Sequence, residues 1–181
     1  MSPTSNPNQL IVEGPDDLFV IVKLMKAFVD WPEGPNSKAS APVYIHNGNG
    51  APEILKEEYL SVFLKNAALQ IGGVVLDADS DPRSRYQRIR TLCISQFPSL
   101  PADLPAEGLV VDNERAKRLG IWIMPDNGSA GSLETFLKWL VPDQNEASWK
   151  LAEESVNSAR SCGCPYRTAH LEKANLYTWL A

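Results

Sequence analysis

Short runs of apolar residues alternate along this chain with longer stretches in which apolar positions recur at helical spacing. Leu10-Ile11-Val12 is the first run, and Glu13-Gly14-Pro15 closes it. A brief apolar run ending in turn residues predicts a buried strand. Leu18, Ile21, Val22, Met25, Phe28 and Val29 then predict a helix from Leu18 to Val29. Asp16 and Asp17 in its first turn, with Pro15 ahead of them, favour that start. Trp31-Pro32-Glu33-Gly34-Pro35 stops it. Val43-Tyr44-Ile45 predicts a second strand, running into the loop His46-Asn47-Gly48-Asn49-Gly50, and Pro52 to Asn66 reads as one helix.

Val74-Val75-Leu76 is the most continuous apolar run, and Asp77-Ala78-Asp79-Ser80-Asp81-Pro82 follows it at once. Helical sequence extends from there to about Ser95, before a proline-rich loop from Phe97 to Pro105. Leu109-Val110-Val111 and Ile121 to Met124, separated by Asp112-Asn113-Glu114, predict a further strand or hairpin. Pro125-Asp126-Asn127-Gly128 is a turn. Ser132 to Leu140, Glu146 to Arg160 and Ala169 to Leu180 read as three more helices.

Such alternation points to the α/β class, with a largely parallel central sheet flanked by helices. Without repeats, low complexity or a linker, residues 1–181 are expected to form a single domain with a flexible N-terminus over 1–8. No Gly, Asn or Pro stops the last helix, which ends on Trp179-Leu180-Ala181. Two expectations follow: a native chain that continues beyond Ala181, or a last turn docked into a groove of this domain or of a second copy.

Composition narrows the class. The hydrophobic fraction of 44% and charged fraction of 22% are those of an ordinary soluble domain. No apolar stretch approaches the about 20 residues of a membrane span. MSPTSNPNQ lacks the basic start and apolar run of a signal peptide, so the cytoplasm is the expected compartment. Three cysteines make no disulfide framework: Cys93 lies in an apolar stretch, and Cys162 and Cys164 are too closely spaced to pair well on zinc without a second pair. His46 and His170 stand in no triad or HExxH spacing and read as structural or exposed. The net charge of −5 argues against a general nucleic-acid-binding coat but leaves local basic patches. Arg83, Arg85, Arg88 and Arg90 form one, and Arg115, Lys117 and Arg118 another. Taken alone, each is a solvated face.

The acids are distributed differently. In open α/β sheets, ligands bind beyond the carboxyl ends of the strands. Glu13 follows the first strand, Asp77 and Asp79 the third, and Asp126 the Ile121–Met124 strand. Gathered on one rim, such carboxylates would raise each other's pKa, and a divalent cation relieves the conflict. Any one of them is ordinarily a turn residue or a cap; Asp81, just before Pro82, and Asp16 read as caps.

Val12-Glu13-Gly14 with Asp17 four residues on, and Leu76-Asp77-Ala78-Asp79, resemble the two signature motifs of the Toprim domain, found in topoisomerases, primases and OLD-type nucleases. The segment Gly120 to Leu137, with Ile123-Met124-Pro125-Asp126-Asn127 and Leu133-Glu134, is similar to a small bacterial family of stand-alone Toprim-like domains of unknown function. The resemblance covers about Gln9 to Trp179 and implies a Toprim-like Rossmannoid fold. It also implies roles. Glu13 matches a metal ligand or general acid/base, and Asp77 and Asp79 match a metal pair. Asp17 and Glu134 correspond to further acids of the OLD-type site, and Lys173 to its late lysine. The implied cofactor is Mg2+ or Mn2+, as one or two ions. The implied reaction is phosphodiester hydrolysis on DNA or RNA, in which two metals roughly 4 Å apart assist an in-line displacement. Arg83, Arg85 and Arg88 would contact substrate phosphates. The Gly48-Asn49-Gly50 loop would approach one through its N–H groups. The last helix is expected beside the acidic rim, bringing Lys173 to it.

Two alternatives accompany this reading. A non-catalytic Toprim-like module would use the same rim to bind metal, nucleic acid or a partner protein. A haloacid-dehalogenase-like phosphatase would use Asp77 as nucleophile and Asp79 as acid. That motif usually opens a chain, whereas about seventy residues precede it here, and Glu13 would have no role.

Overall fold

A computed structural model describes residues 5–33, 41–167 and 170–181. Two compact units divide the chain, Met1–Ala130 and Gly131–Ala181. The first is built on a five-stranded sheet. Its strands are β1 (Asn8–Val12), β2 (Tyr44–Asn47), β3 (Ile71–Asp77), β4 (Leu109–Asp112) and β5 (Arg118–Met124), and they lie in the order β2-β1-β3-β5-β4. All neighbours run parallel except β4, which is antiparallel to β5 at the edge. The sequence between Leu109 and Met124 therefore folds as a hairpin. Asn113 Oδ1 accepts from the Arg115 and Lys117 N–H groups in its turn.

Among the described residues this unit carries the helices α1 (Pro15–Met25), α2 (Ala51–Ile54), α3 (Glu57–Lys65) and α4 (Pro82–Cys93). The apolar strand runs become the core because a parallel strand between helices has little access to water. Ile11, Val74, Leu76, Leu119, Ile121 and Ile123 cluster with Ile54, Leu60, Phe63, Leu64, Tyr86, Ile89, Cys93 and Phe97. Burial in that cluster pushes the Cys93 thiol up to about 12, so it stays protonated and behaves as a small apolar side chain.

Three local features differ from the pattern along the chain. The helix expected over Pro52–Asn66 is two, because Lys56 is extended (φ −74°, ψ 142°) and starts α3 afresh. Helix α1 ends at Met25, with Lys26 to Phe28 in turns; Gly34 and Pro35 of the expected stop lie outside the described residues. Sheet pairing begins at Asn8, and the Pro7 carbonyl accepts from the N–H groups of Gln70 and Ile71. Of the N-terminal segment expected to be flexible, residues 1–4 lie outside the described residues.

The second unit contains α5 (Leu133–Trp139), a 3-10 turn at Asp143–Asn145, α6 (Glu146–Ser161) and α7 (Leu171–Leu180). The predicted start of the last helix at Ala169 lies outside the described residues. Within the unit, the Trp149 and Trp179 rings meet at 5.9 Å, and Lys138 bridges to Glu153 at 2.9 Å.

Candidate functional site

Strand order decides which acids meet. The chain leaves β1 towards β2 on one side and leaves β3 towards β5 on the other. The carboxyl ends of β1 and β3 thus flank the point where the connections diverge, the usual ligand crevice of an open α/β sheet. β1 and β3 pair directly, with Val12 opposite Val75. Glu13 and Asp77 consequently leave neighbouring strands on the same rim. The half-buried Glu13 carboxylate accepts the Asp77 main-chain N–H through Oε2 at 3.2 Å.

The loop after β2 supports this contact from behind. Gly48 N–H donates to the Val12 carbonyl, and Gly50 N–H donates to the Glu13 carbonyl, both at 2.9 Å. Asn49 N–H is taken by Asn47 Oδ1. The three N–H groups expected to meet a phosphate are therefore spent on the protein, and the loop holds Glu13 in place. Gly48 is required there: a Cβ would lie 2.3 Å from Cγ1 of Ile54.

Asp77 is half-buried at the end of β3, and Ala78 N–H bonds across to the Met124 carbonyl at 3.0 Å. Asp79 follows with a positive φ of 52°, and its exposed side chain is paired with Arg85. Asp81 is a helix cap as expected, accepting the Ser84 N–H through Oδ1 at 3.0 Å. Asp17 sits buried at the third position of α1, where Oδ2 accepts the Gly14 N–H at 2.9 Å. That bond closes the turn between β1 and α1. Asp126 is absorbed by its own turn, accepting from the Gly128 and Ser129 N–H groups and the Ser129 hydroxyl. Those bonds hold its carboxyl below the usual carboxylate range.

Glu134 and Lys173 meet each other within the second unit. Lys173 Nζ stands 4.0 Å from Glu134 Oε1, and Glu134 Oε2 accepts the Ser132 hydroxyl at the start of α5. Among the basic residues, Arg83 pairs with Asp103 at 3.2 Å on the surface, and Arg88 donates to the Leu55 carbonyl at 3.2 Å. Arg90 ties down the Leu100-Pro101 segment. In the second cluster, Lys117 donates to the carbonyls of Leu64 and Asn66, and Arg118 clasps Asp112 with two bonds. Both act structurally. His46 does too: Nε2 bonds Gln9 Oε1 at 2.9 Å, and burial lowers its pKa.

One residue went unremarked as a site element. Asn127 is buried, accepts the Ile123 N–H at 2.7 Å and donates to the Ala106 carbonyl at 3.1 Å. Its φ of 67° is the left-handed region that Asn tolerates, which was the available signal.

The chain's family is now in reach. Residues 7–181 match the family described as "Protein of unknown function (DUF3226)". The chain belongs to that family. No curated protein and no solved structure matches it. For this DUF3226 chain the donor chemistry at the rim is carboxylate oxygen. Among the described residues no three His, Cys, Asp or Glu side chains converge as a closed metal cage. A hydrated divalent cation needs less, since Mg2+ keeps several waters and takes one or two carboxylates. The Glu13 and Asp77 carboxylates are donors of that kind, and the Asp79 side chain is paired with Arg85. No helix among the described residues is long and apolar enough to cross a membrane.

Proposed function

We propose that this chain carries out metal-dependent phosphodiester chemistry on nucleic acid, as a Toprim-type nuclease, at the rim where β1 and β3 end. One observation carries the reading: the two motif-bearing strands are direct neighbours, and Glu13 is bonded to the main chain of Asp77. A turn acid or helix cap needs no such partner 64 residues away. Asp77 and Asp79 would hold Mg2+ or Mn2+, beside Glu13 on the same rim. When bound, the cation would supply Lewis-acid stabilisation of negative charge on a phosphoryl oxygen. Glu13 is the group to orient a water and take its proton. Arg85 and Arg88, on the first turns of α4, are the groups to bind non-bridging phosphate oxygens. Asp17 acts through Gly14 by fixing the backbone next to Glu13. Glu134 and Lys173 pair with each other within the second unit.

The test is a cleavage assay on single- and double-stranded DNA, RNA and transfer RNA with Mg2+ or Mn2+. Wild type should cut at least one substrate, chelation should stop it, and Asp77→Asn, Asp79→Asn and Glu13→Gln should each lower the rate about 100-fold or more. A second reading, a non-catalytic binding module, is favoured by the Asp79–Arg85 pair. It predicts metal-dependent nucleic-acid binding with no cleavage. A phosphatase would instead form a fluoroberyllate adduct at Asp77.

A further inference from the structure

The Asp79–Arg85 pair has chemistry beyond holding a loop. Asp79 is the second acid of the Asp-x-Asp motif, and its side chain is 68% exposed, so a cation in solvent reaches it. Arg85 is different: only 15% of its side chain is exposed, so its guanidinium is held beside the loop rather than dispersed in solvent. Among the described residues, Asp79 is the hydrogen-bond and ion-pair partner of that guanidinium. A guanidinium carries five N–H donors. Asp79 and Arg85 both line an open cavity of about 310 Å3, together with Ser80, Ser84 and Arg88. The Ser80 and Ser84 hydroxyls and two guanidinium groups suit a phosphate, and no other carboxylate but Asp81 shares the wall. Asp81 is committed to the Ser84 N–H.

These facts set up a competition. Guanidinium and a divalent cation both want the Asp79 carboxylate, and as like charges they repel one another. A phosphate arriving in the cavity gives Arg85 a second anion with a bidentate match. We infer that Arg85 is an exchangeable counter-ion: it occupies Asp79 while the cavity holds no phosphate and transfers to the phosphodiester when substrate binds, freeing Asp79 for the cation. Substrate and metal then bind with mutual reinforcement, because coupling between two ligands is reciprocal. No bond is made or broken in the exchange. The inference deepens the metal-site reading above and rests on it. Arg85 is here a positioning residue for Asp79 as well as a phosphate contact.

The experiment is a double-mutant cycle read by Mn2+ binding, with free Mn2+ followed by electron paramagnetic resonance. Wild type, Arg85→Gln, Asp79→Asn and the double variant are compared, with circular dichroism to check that each is folded. With Mn2+ alone, Arg85→Gln should bind about five-fold tighter than wild type or better, the lower end of ordinary coupling. The gain should disappear in the Asp79→Asn background, because the competition no longer exists. Dimethyl phosphate, the phosphodiester probe, should then tighten Mn2+ binding to wild type and do so less for Arg85→Gln. An equal gain from Arg85→Gln in both backgrounds would reduce Arg85 to a general positive charge and overturn the exchange. So would an unchanged Mn2+ affinity in Arg85→Gln, or no effect of dimethyl phosphate on wild type. If Mn2+ binds and Asp77→Asn abolishes it while any of those results holds, the exchange is wrong and the metal site stands. If none of the proteins binds Mn2+, the metal site and the exchange are both wrong.

Discussion

Asn127 carries the turn that ends β5 without taking part in the acid cluster. Its amide pairs with the buried Ile123 N–H and with the Ala106 carbonyl, and its backbone sits at positive φ. Asn127→Ala leaves a buried donor unpaired, at about 1–3 kcal/mol, and puts alanine at a positive φ that Asn tolerates better, at about 1 kcal/mol more. Urea unfolding should therefore show a loss of about 2–4 kcal/mol. Asn127→Gly should lose less, since glycine relieves the backbone but not the bonds; equal losses would mean that φ is unimportant there. The acids make a separate residue-scale prediction. A cation that binds only the folded protein stabilises it by ~2.7 kcal/mol at about 100 times its Kd. For a chain of this size that is roughly 5–11 °C in Tm. Asp77→Asn and Asp79→Asn should lose the Mg2+-dependent rise. A wild-type Tm that is flat across Mg2+ and Mn2+ titrations would count against the site.

Helix α4 tests whether a carboxylate at a strand end is ligand or cap. Asp81→Ala removes the bond to the Ser84 N–H and should cost about 0.5–2 kcal/mol. Its Tm should fall while the Mg2+-induced shift stays that of wild type; loss of the shift would make Asp81 a ligand. At this scale the sequence is readable where one local cause dominates. Leu10-Ile11-Val12 and Val74-Val75-Leu76 read as strands because runs buried on both faces have no polar positions to blur them. The adjacency of β1 and β3 brings Glu13 and Asp77 to one rim, as gathering the acids there requires. The break between α2 and α3 was hidden: Leu55 and Lys56 carry no breaker, and the apolar spacing continues through them while Ile54 seats under Gly48. The fate of the Gly48 and Gly50 N–H groups was equally hidden, because their acceptors, the Val12 and Glu13 carbonyls, lie at the end of β1 and just after it, far back in the chain. The pairing of Asp79 with Arg85 depends on a backbone angle and a rotamer, and neither leaves a mark in residue type.

For the molecule as a whole, acid stability follows from the bonded carboxylates. Asp126 is held below its ordinary value of 3.8 by the Ser129 and Gly128 donors, and Glu153 below 4.5 by Lys138. A depressed folded pKa contributes stability that is present above the unfolded value and is lost as pH falls through the folded one. Thermal melts should therefore drop below about pH 4, and Asp126→Asn should flatten that limb; an unaltered limb would mean that the Asp126 bonds add nothing. Sheet order also has a consequence during synthesis. β1 is made before both of its neighbours, and the Glu13–Asp77 bond spans 64 residues. At about 5–20 residues per second, a ribosome needs roughly 3–13 s to supply β3 after β1. Throughout that interval the Asn8–Val12 segment, with its Leu-Ile-Val run, waits without its inner partner and is open to chaperones or to another nascent chain.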